Sequence, residues 1–219
     1  MTLTGTTADE CIEQAQQTDA DMVEHRIDLM IQTNDIERVY RECTRPIVAT
    51  NRPSPPGERR KGGERRRIGL LLDAVYAGAT HVDIELDAPR SSLDRVIDAA
   101  REAGCEVIVS RHFYDRAPAL PELLSVWIQM QQLGADIAKI VTMPRTLQQA
   151  TRVLSLYTHK GRSSGDLIAF GMGPVGKFTR VAALYMGAPF MYVCQSDGQE
   201  VAPGQLSLSV MRGIVEALS

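Results

Sequence analysis

Residues 135–144 read ADIAKIVTMP. Ile137, Ala138, Ile140 and Val141 form a short apolar run of strand character, with Gly134 before it and Pro144 after it. Longer segments of helical period flank it, Pro121 to Leu133 and Thr146 to His159. This is one β-α unit, and working outward from it gives eight. The remaining strands are expected at Thr2 to Gly5, Met22 to Asp28, Pro46 to Thr50, His81 to Leu86, Glu106 to Ser110, Leu167 to Gly171 and Phe190 to Val193. The remaining helices are expected at Ala8 to Gln17, Asp35 to Cys43, Arg66 to Ala77, Ser92 to Ala103, Phe178 to Met186 and Leu206 to Leu218. Gly78, Gly104, Gly134, Gly161 and Gly187 each follow a helical segment, where a left-handed cap belongs. Alternation of this kind predicts an α/β fold. Eight units in 219 residues favour a closed (β/α)8 barrel, one domain over residues 1–219, above an open doubly wound sheet.

Composition narrows the function. With 24 Lys plus Arg against 27 Asp plus Glu, a net charge near -3 and 44% hydrophobic residues, the chain is neither disordered nor fibrous. No stretch approaches the roughly 20 apolar residues that cross a bilayer, so no membrane partner is expected. MTLTGTTADE lacks the basic and apolar regions of a signal peptide, and a cytoplasmic location is expected. Cys11, Cys43, Cys105 and Cys194 are scattered and read as free thiols. His25, His81, His112 and His159 make no ligand spacing, so no metal is assigned.

Several residues break the apolar pattern. In MVEHRID, residues 22–28, Glu24, Arg26 and Asp28 alternate with Val23, His25 and Ile27, which puts three charges on one strand face. In an open sheet that face would be solvated; in a barrel it lines a polar interior. Lys139 stands inside the apolar run of residues 137–141. Either its head extends to water from the rim of the sheet, or burial favours its neutral amine and makes it a Schiff-base candidate. His112 ends the strand in VIVSRHFYD, residues 107–115, where a rigid element could hold a general acid-base group or simply a hydrogen-bonded imidazole.

GMGPVGK, residues 171–177, has the form G-x-G-x-x-G but lies in the seventh unit, far from the start of a dinucleotide-binding half. It reads better as a backbone-rich loop leading to Arg180, a two-pronged donor suited to a carboxylate, although helix surfaces also carry such arginines. Asn51 to Arg67, NRPSPPGERRKGGERRR, is the one compositional break. It has no interleaved aromatics and the chain is acidic, so a solvated loop with Arg52 at its base is expected rather than a nucleic-acid surface.

Taken in order, EHRID, then NR with a following GG, SRH, AKIVTMP, GxxGKFTR and APGQ closely resemble the type I 3-dehydroquinate dehydratases, the class I dehydroquinases of the shikimate pathway. The resemblance runs from LTGTT, residues 3–7, to APGQLSL, residues 202–208. It implies a single (β/α)8 TIM barrel, here with a shortened N-terminus lacking the family's covering hairpin. It further implies dehydration of 3-dehydroquinate to 3-dehydroshikimate with no metal or added cofactor, and a homodimer. By position, Lys139 matches the Schiff-base lysine and His112 the general acid-base. Glu24, Arg26 and Arg52 match the group that binds the ring hydroxyls, and Arg180 with Gln205 the carboxylate site.

Two positions depart from the pattern. Val201 stands where the family has Ser or Thr before APGQ, and Lys61 stands where a histidine-orienting Glu precedes GG, with Glu58 and Glu64 nearby as replacements. Two other functions compete. A class I aldolase-like barrel would use the same lysine, and a non-catalytic scaffold would leave Lys139 and His112 without a role.

Overall fold

The computed structural model describes residues 1–53, 63–162 and 165–218, and these divide into two compact units, residues 1–107 and 108–219. The first holds parallel strands β1 (Thr2–Leu3), β2 (Val23–Arg26), β3 (Ile47–Thr50) and β4 (His81–Glu85), paired in chain order. Helices α1 (Ala8–Gln17), α2 (Ile36–Glu42), α3 (Gly63–Tyr76) and α4 (Arg90–Ala103) alternate with them. The second unit takes up β5 (Glu106–His112), which begins at the boundary, and pairs it in parallel with β6 (Ile137–Thr142), and β6 with β7 (Asp166–Gly171). Its helices are α5 (Leu120–Gln132), α6 (Leu147–Leu154), the short α7 (Gly173–Gly176), α8 (Phe178–Tyr185) and α9 (Leu208–Leu218). A separate two-stranded sheet joins β8 (Val193–Cys194) to β9 (Leu206–Ser207).

The register explains how each sheet divides its faces. In the first unit Thr2 pairs with Glu24, Glu24 with Val48, and Arg26 with Thr50, which pairs with Asp83. Register partners share a face and so do residues two apart. One face therefore carries Thr2, Glu24, Arg26, Thr50, Asp83 and Glu85, while the other carries Leu3, Val23, Ile47, Ala49, Val82 and Ile84, all buried. His25 is the exception on the apolar face. It is fully buried, with Nδ1 2.8 Å from the Tyr40 hydroxyl of α2 and Nε2 3.0 Å from the Met30 sulfur, and burial lowers its pKa to about 4.

Local chemistry sets the element ends. Thr7 caps α1 by accepting from the Glu10 amide at 3.3 Å, while Glu10 reaches back to the Thr6 amide at 2.7 Å. Gly78, Gly104, Gly134 and Gly187 all take positive φ. Gly161 does not end a helix as expected. It lies within a 3₁₀ segment, Ser155–Arg162, and Gly165 carries the positive φ instead. That segment begins where α6 was expected to continue, and there the Tyr157 hydroxyl accepts the Ala169 amide of β7 at 2.8 Å.

Other expectations are corrected. Asp28 is not on the strand: β2 stops at Arg26 and a 3₁₀ turn, Ile27–Leu29, follows. The eighth strand is Val193–Cys194 rather than Phe190 to Val193, and Leu206–Ser207 is strand rather than the start of the last helix. Helix α3 opens at Gly63, so Arg67 is a buried helical residue and not part of a solvated loop, whereas Glu58 and Lys61 lie outside the described residues. Among the described residues no helix is long and apolar enough to cross a membrane. Cys11, Cys105 and Cys194 are buried free thiols and Cys43 is half-buried.

Candidate active site

In the first unit the polar sheet face is a charge network. Glu24 is buried and accepts from two hydroxyls, Thr2 at 2.9 Å and Thr50 at 2.9 Å. Arg26 donates through Nε (2.8 Å) and Nη2 (2.6 Å) to the two oxygens of Asp28, which the 3₁₀ turn folds back beneath it. Burial would raise the Asp28 pKa, but Arg26 and the Arg52 amide hold it below its ordinary value. Arg52 clasps Asp83 through Nη1 (2.8 Å) and Nη2 (2.5 Å) and reaches Glu85 at 2.6 Å. Burial would depress its pKa, yet Asp83 and Glu85 beside it hold the guanidinium well above its ordinary value. The other oxygen of Glu85 accepts from Arg67 at 2.7 Å, and Arg67 in turn grips Glu64 with Nε at 2.7 Å and Nη2 at 2.9 Å.

The structure thus brings Glu24, Arg26 and Arg52 into one group, with both arginines bonded to Asp28. Sequence reading missed Asp83, Glu85 and Arg67. The acids at 83 and 85 repeat the i, i+2 charge pattern noticed at 24 and 26, and that pattern could have found them. Glu64 is committed to Arg67 on its own helix.

In the second unit two alternate rows of the ladder hold the chemistry. Ser110, Lys139 and Ile168 pair across β5, β6 and β7, and two rows further on, past Arg111, Ile140 and Ala169, His112, Val141 and Phe170 do the same. Lys139, His112 and Phe170 therefore share a face, and the Cα atoms of Lys139 and His112 are roughly 8 Å apart from strand spacing alone. Every residue of β6 is buried, and Lys139 is 4% exposed, so its head does not extend to water from a rim. Its Nζ lies 3.7 Å from the centroid of the Tyr192 ring. The His112 imidazole stacks on Tyr114, centroids 5.6 Å apart at 13°.

Arg180 is held by the loop that precedes it. The Thr179 hydroxyl accepts the Gly171 amide at 2.7 Å and donates to the Gly176 carbonyl at 2.5 Å, tying the first turn of α8 to the end of β7. Gly171 and Gly176 pack backbone to backbone, and a Cβ on Gly176 would collide with the Gly171 carbonyl carbon. Gly173 donates to the Pro203 carbonyl at 2.9 Å, and Gly204, at φ 75°, lies so close to Gly173 that a Cβ would come within 2.7 Å of its oxygen. The glycines thus dock the 171–177 loop onto the APGQ loop. There Gln205 accepts the Val201 amide at 3.0 Å.

Arg180 itself is 1% exposed and stacks on Phe170, its Cζ 4.3 Å from the ring centroid. Nε and Nη2 are buried with no hydrogen-bond partner among the described residues. Burial lowers its pKa to about 10, with Cys194 pulling the other way, which still leaves a cation at neutral pH. A buried cation with two unfilled donors is chemically suited to receive an anion.

The family model of the type I 3-dehydroquinases matches residues 1–219. The chain belongs to that enzyme family. Among curated relatives, the 3-dehydroquinate dehydratase of Methanosarcina barkeri is 33% identical over 217 residues, covering 95% of this chain and 90% of the relative. That of Methanothermobacter thermautotrophicus is 36% identical over 201 residues, covering 91% and 86%. Among solved structures, the type I 3-dehydroquinate dehydratase from Clostridium difficile, carrying covalently modified comenic acid, superposes with a TM-score of 0.88 over 99% of this chain and 90% of that one, at 22% identity. Together with the repeated parallel β-α units, this places the family member in the TIM-barrel-like α/β class. The aldolase-like and scaffold readings give way to it.

Proposed function

We propose that the protein dehydrates 3-dehydroquinate to 3-dehydroshikimate, a step of aromatic amino-acid biosynthesis, through an imine at Lys139 with His112 as the general acid-base. The observation that carries this reading is Lys139 itself, 4% exposed in the middle of β6 and on the same sheet face as His112. Such burial disfavours an idle ammonium, and an amine there is placed to attack a ketone.

The bookkeeping closes without an added cofactor. The neutral amine of Lys139 adds to the substrate ketone, and the carbinolamine loses water to give a protonated imine, which acidifies the neighbouring C–H. His112 takes that proton. The resulting enamine expels the β-hydroxyl, which leaves as water with the proton returned from the imidazolium. A water molecule then hydrolyses the imine, freeing Lys139 and the conjugated ketone. Two waters leave and one enters, for a net loss of one.

Arg180, with its two open donors, and Gln205 suit the substrate carboxylate. Glu24 and the Nη1 of Arg26, outside its pair with Asp28, suit the ring hydroxyls, and Arg52 holds the charge of that group. The family supports a small-molecule substrate, and we extend the reading to a single catalytic domain over residues 1–219 working in the cytoplasm as a homodimer. The test is turnover of 3-dehydroquinate followed by ultraviolet absorbance of the conjugated product. Loss of one general acid-base group lowers turnover by about 10²- to 10⁴-fold, so His112→Ala should fall in that range while still binding substrate. Near-normal turnover would remove His112 from the mechanism.

A further inference from the structure

Lys139 meets a π surface. Its Nζ stands 3.7 Å from the Tyr192 ring centroid, with Lys139 4% and Tyr192 7% exposed. Tyr192 directly precedes β8, and Phe190 meets its ring edge-on, centroids 5.5 Å apart at 63°. The ring is therefore held in place as a face toward the lysine nitrogen.

The face of an aromatic ring carries the negative part of its quadrupole and attracts a cation, more strongly where water is excluded. It offers no comparable attraction to a neutral amine or carbinolamine. We propose that Tyr192 is a charge-selective positioning residue for Lys139. Its ring holds the nitrogen in the protonated imine, and so favours that cationic intermediate over the neutral amine and carbinolamine that precede it. The inference rests on the imine chemistry proposed above, and goes beyond it by assigning an aromatic face to the positive charge. The sequence held no sign of Tyr192, one of 6 tyrosines, outside any motif.

The test replaces Tyr192 by Phe, by Leu, and by phenylalanines carrying one, two or three ring fluorines, which empty the π face while nearly keeping its shape. Two quantities are read: kcat with 3-dehydroquinate, and the fraction of Lys139 bearing ligand mass after borohydride treatment. Tyr192→Phe should stay within about twofold of wild type. Tyr192→Leu and the trifluorinated ring should lower both by about tenfold, the size of one desolvated cation–π contact, with the logarithm of kcat falling in step with fluorine number. A flat fluorine series with normal labelling of Lys139 in the wild type would overturn the role of Tyr192 alone. No adduct at Lys139 in the wild type would overturn the imine reading and this inference with it. Should Tyr192→Leu fail to fold, the fluorine series still decides.

Discussion

Arg180 lies over Phe170 with its guanidinium carbon 4.3 Å from the ring centroid, and Phe170 stands in the same ladder row as His112. The aromatic face supplies part of what a buried cation lacks, but Nε and Nη2 find no acceptor among the described residues. A buried cation with unfilled donors costs stability. Arg180→Met is therefore expected to leave the fold unchanged or up to about 3 kcal/mol more stable, while raising KM about 10- to 100-fold, since a hydrogen bond to a charged group is worth about 1.5–3 kcal/mol. Urea denaturation with steady-state kinetics checks both. Lower stability with unchanged KM would make Arg180 a structural residue.

Val201 gives a smaller effect of opposite sign. Its amide donates to Gln205 at 3.0 Å, which fixes the carboxamide, but its side chain can offer no hydrogen bond. Val201→Ser should lower KM a few-fold, less than Arg180→Met raises it, because a hydroxyl adds one neutral donor whereas the guanidinium supplies charged ones. Steady-state KM values for both variants are the measurement. If neither changes, the substrate carboxylate is not held by this pair of loops.

Asp83 is the anchor of the first unit's charge network, fully buried and gripped by two nitrogens of Arg52. Removing one partner leaves the other charge buried and less than fully paired. Asp83→Ala should cost about 3–5 kcal/mol by urea denaturation, and Asp83→Asn less. A cost below about 0.5 kcal/mol would show that Glu85 alone satisfies Arg52.

His25 makes the first unit acid-sensitive. Burial holds its folded pKa near 4, below the roughly 6.5 of an exposed imidazole. The unfolded chain therefore takes up a proton before the folded chain does. The stability from neutral His25 is fully present above about pH 6.5 and is lost as pH falls toward 4, up to about 3 kcal/mol. His25→Phe should flatten this part of the stability-pH curve. An unchanged slope between pH 4 and 6.5 would assign the acid sensitivity to other groups.

Much of this was legible in the residues, for identifiable reasons. Helix α1 has the expected bounds because Thr7 and Glu10 mark its start chemically. Lys139 stood out because a charge inside an apolar run conflicts with its surroundings, and the structure buries it. Asp28 was misread as strand because alternation continued past Arg26, whereas pairing with Arg26 is better served by a turn. Helix α6 was read too long because its period runs into residues that instead place Tyr157 under β7. The partners of Arg52 and the ring facing Lys139 come from chain segments far apart in sequence, and pairings of that kind leave no local pattern.

The most direct test of the account is peptide mass spectrometry after borohydride reduction in the presence of 3-dehydroquinate. A covalent imine predicts inactivation, ligand mass on the peptide containing Lys139, and loss of that adduct in Lys139→Ala. Mass on a different lysine, or undiminished turnover with no adduct at all, would contradict it.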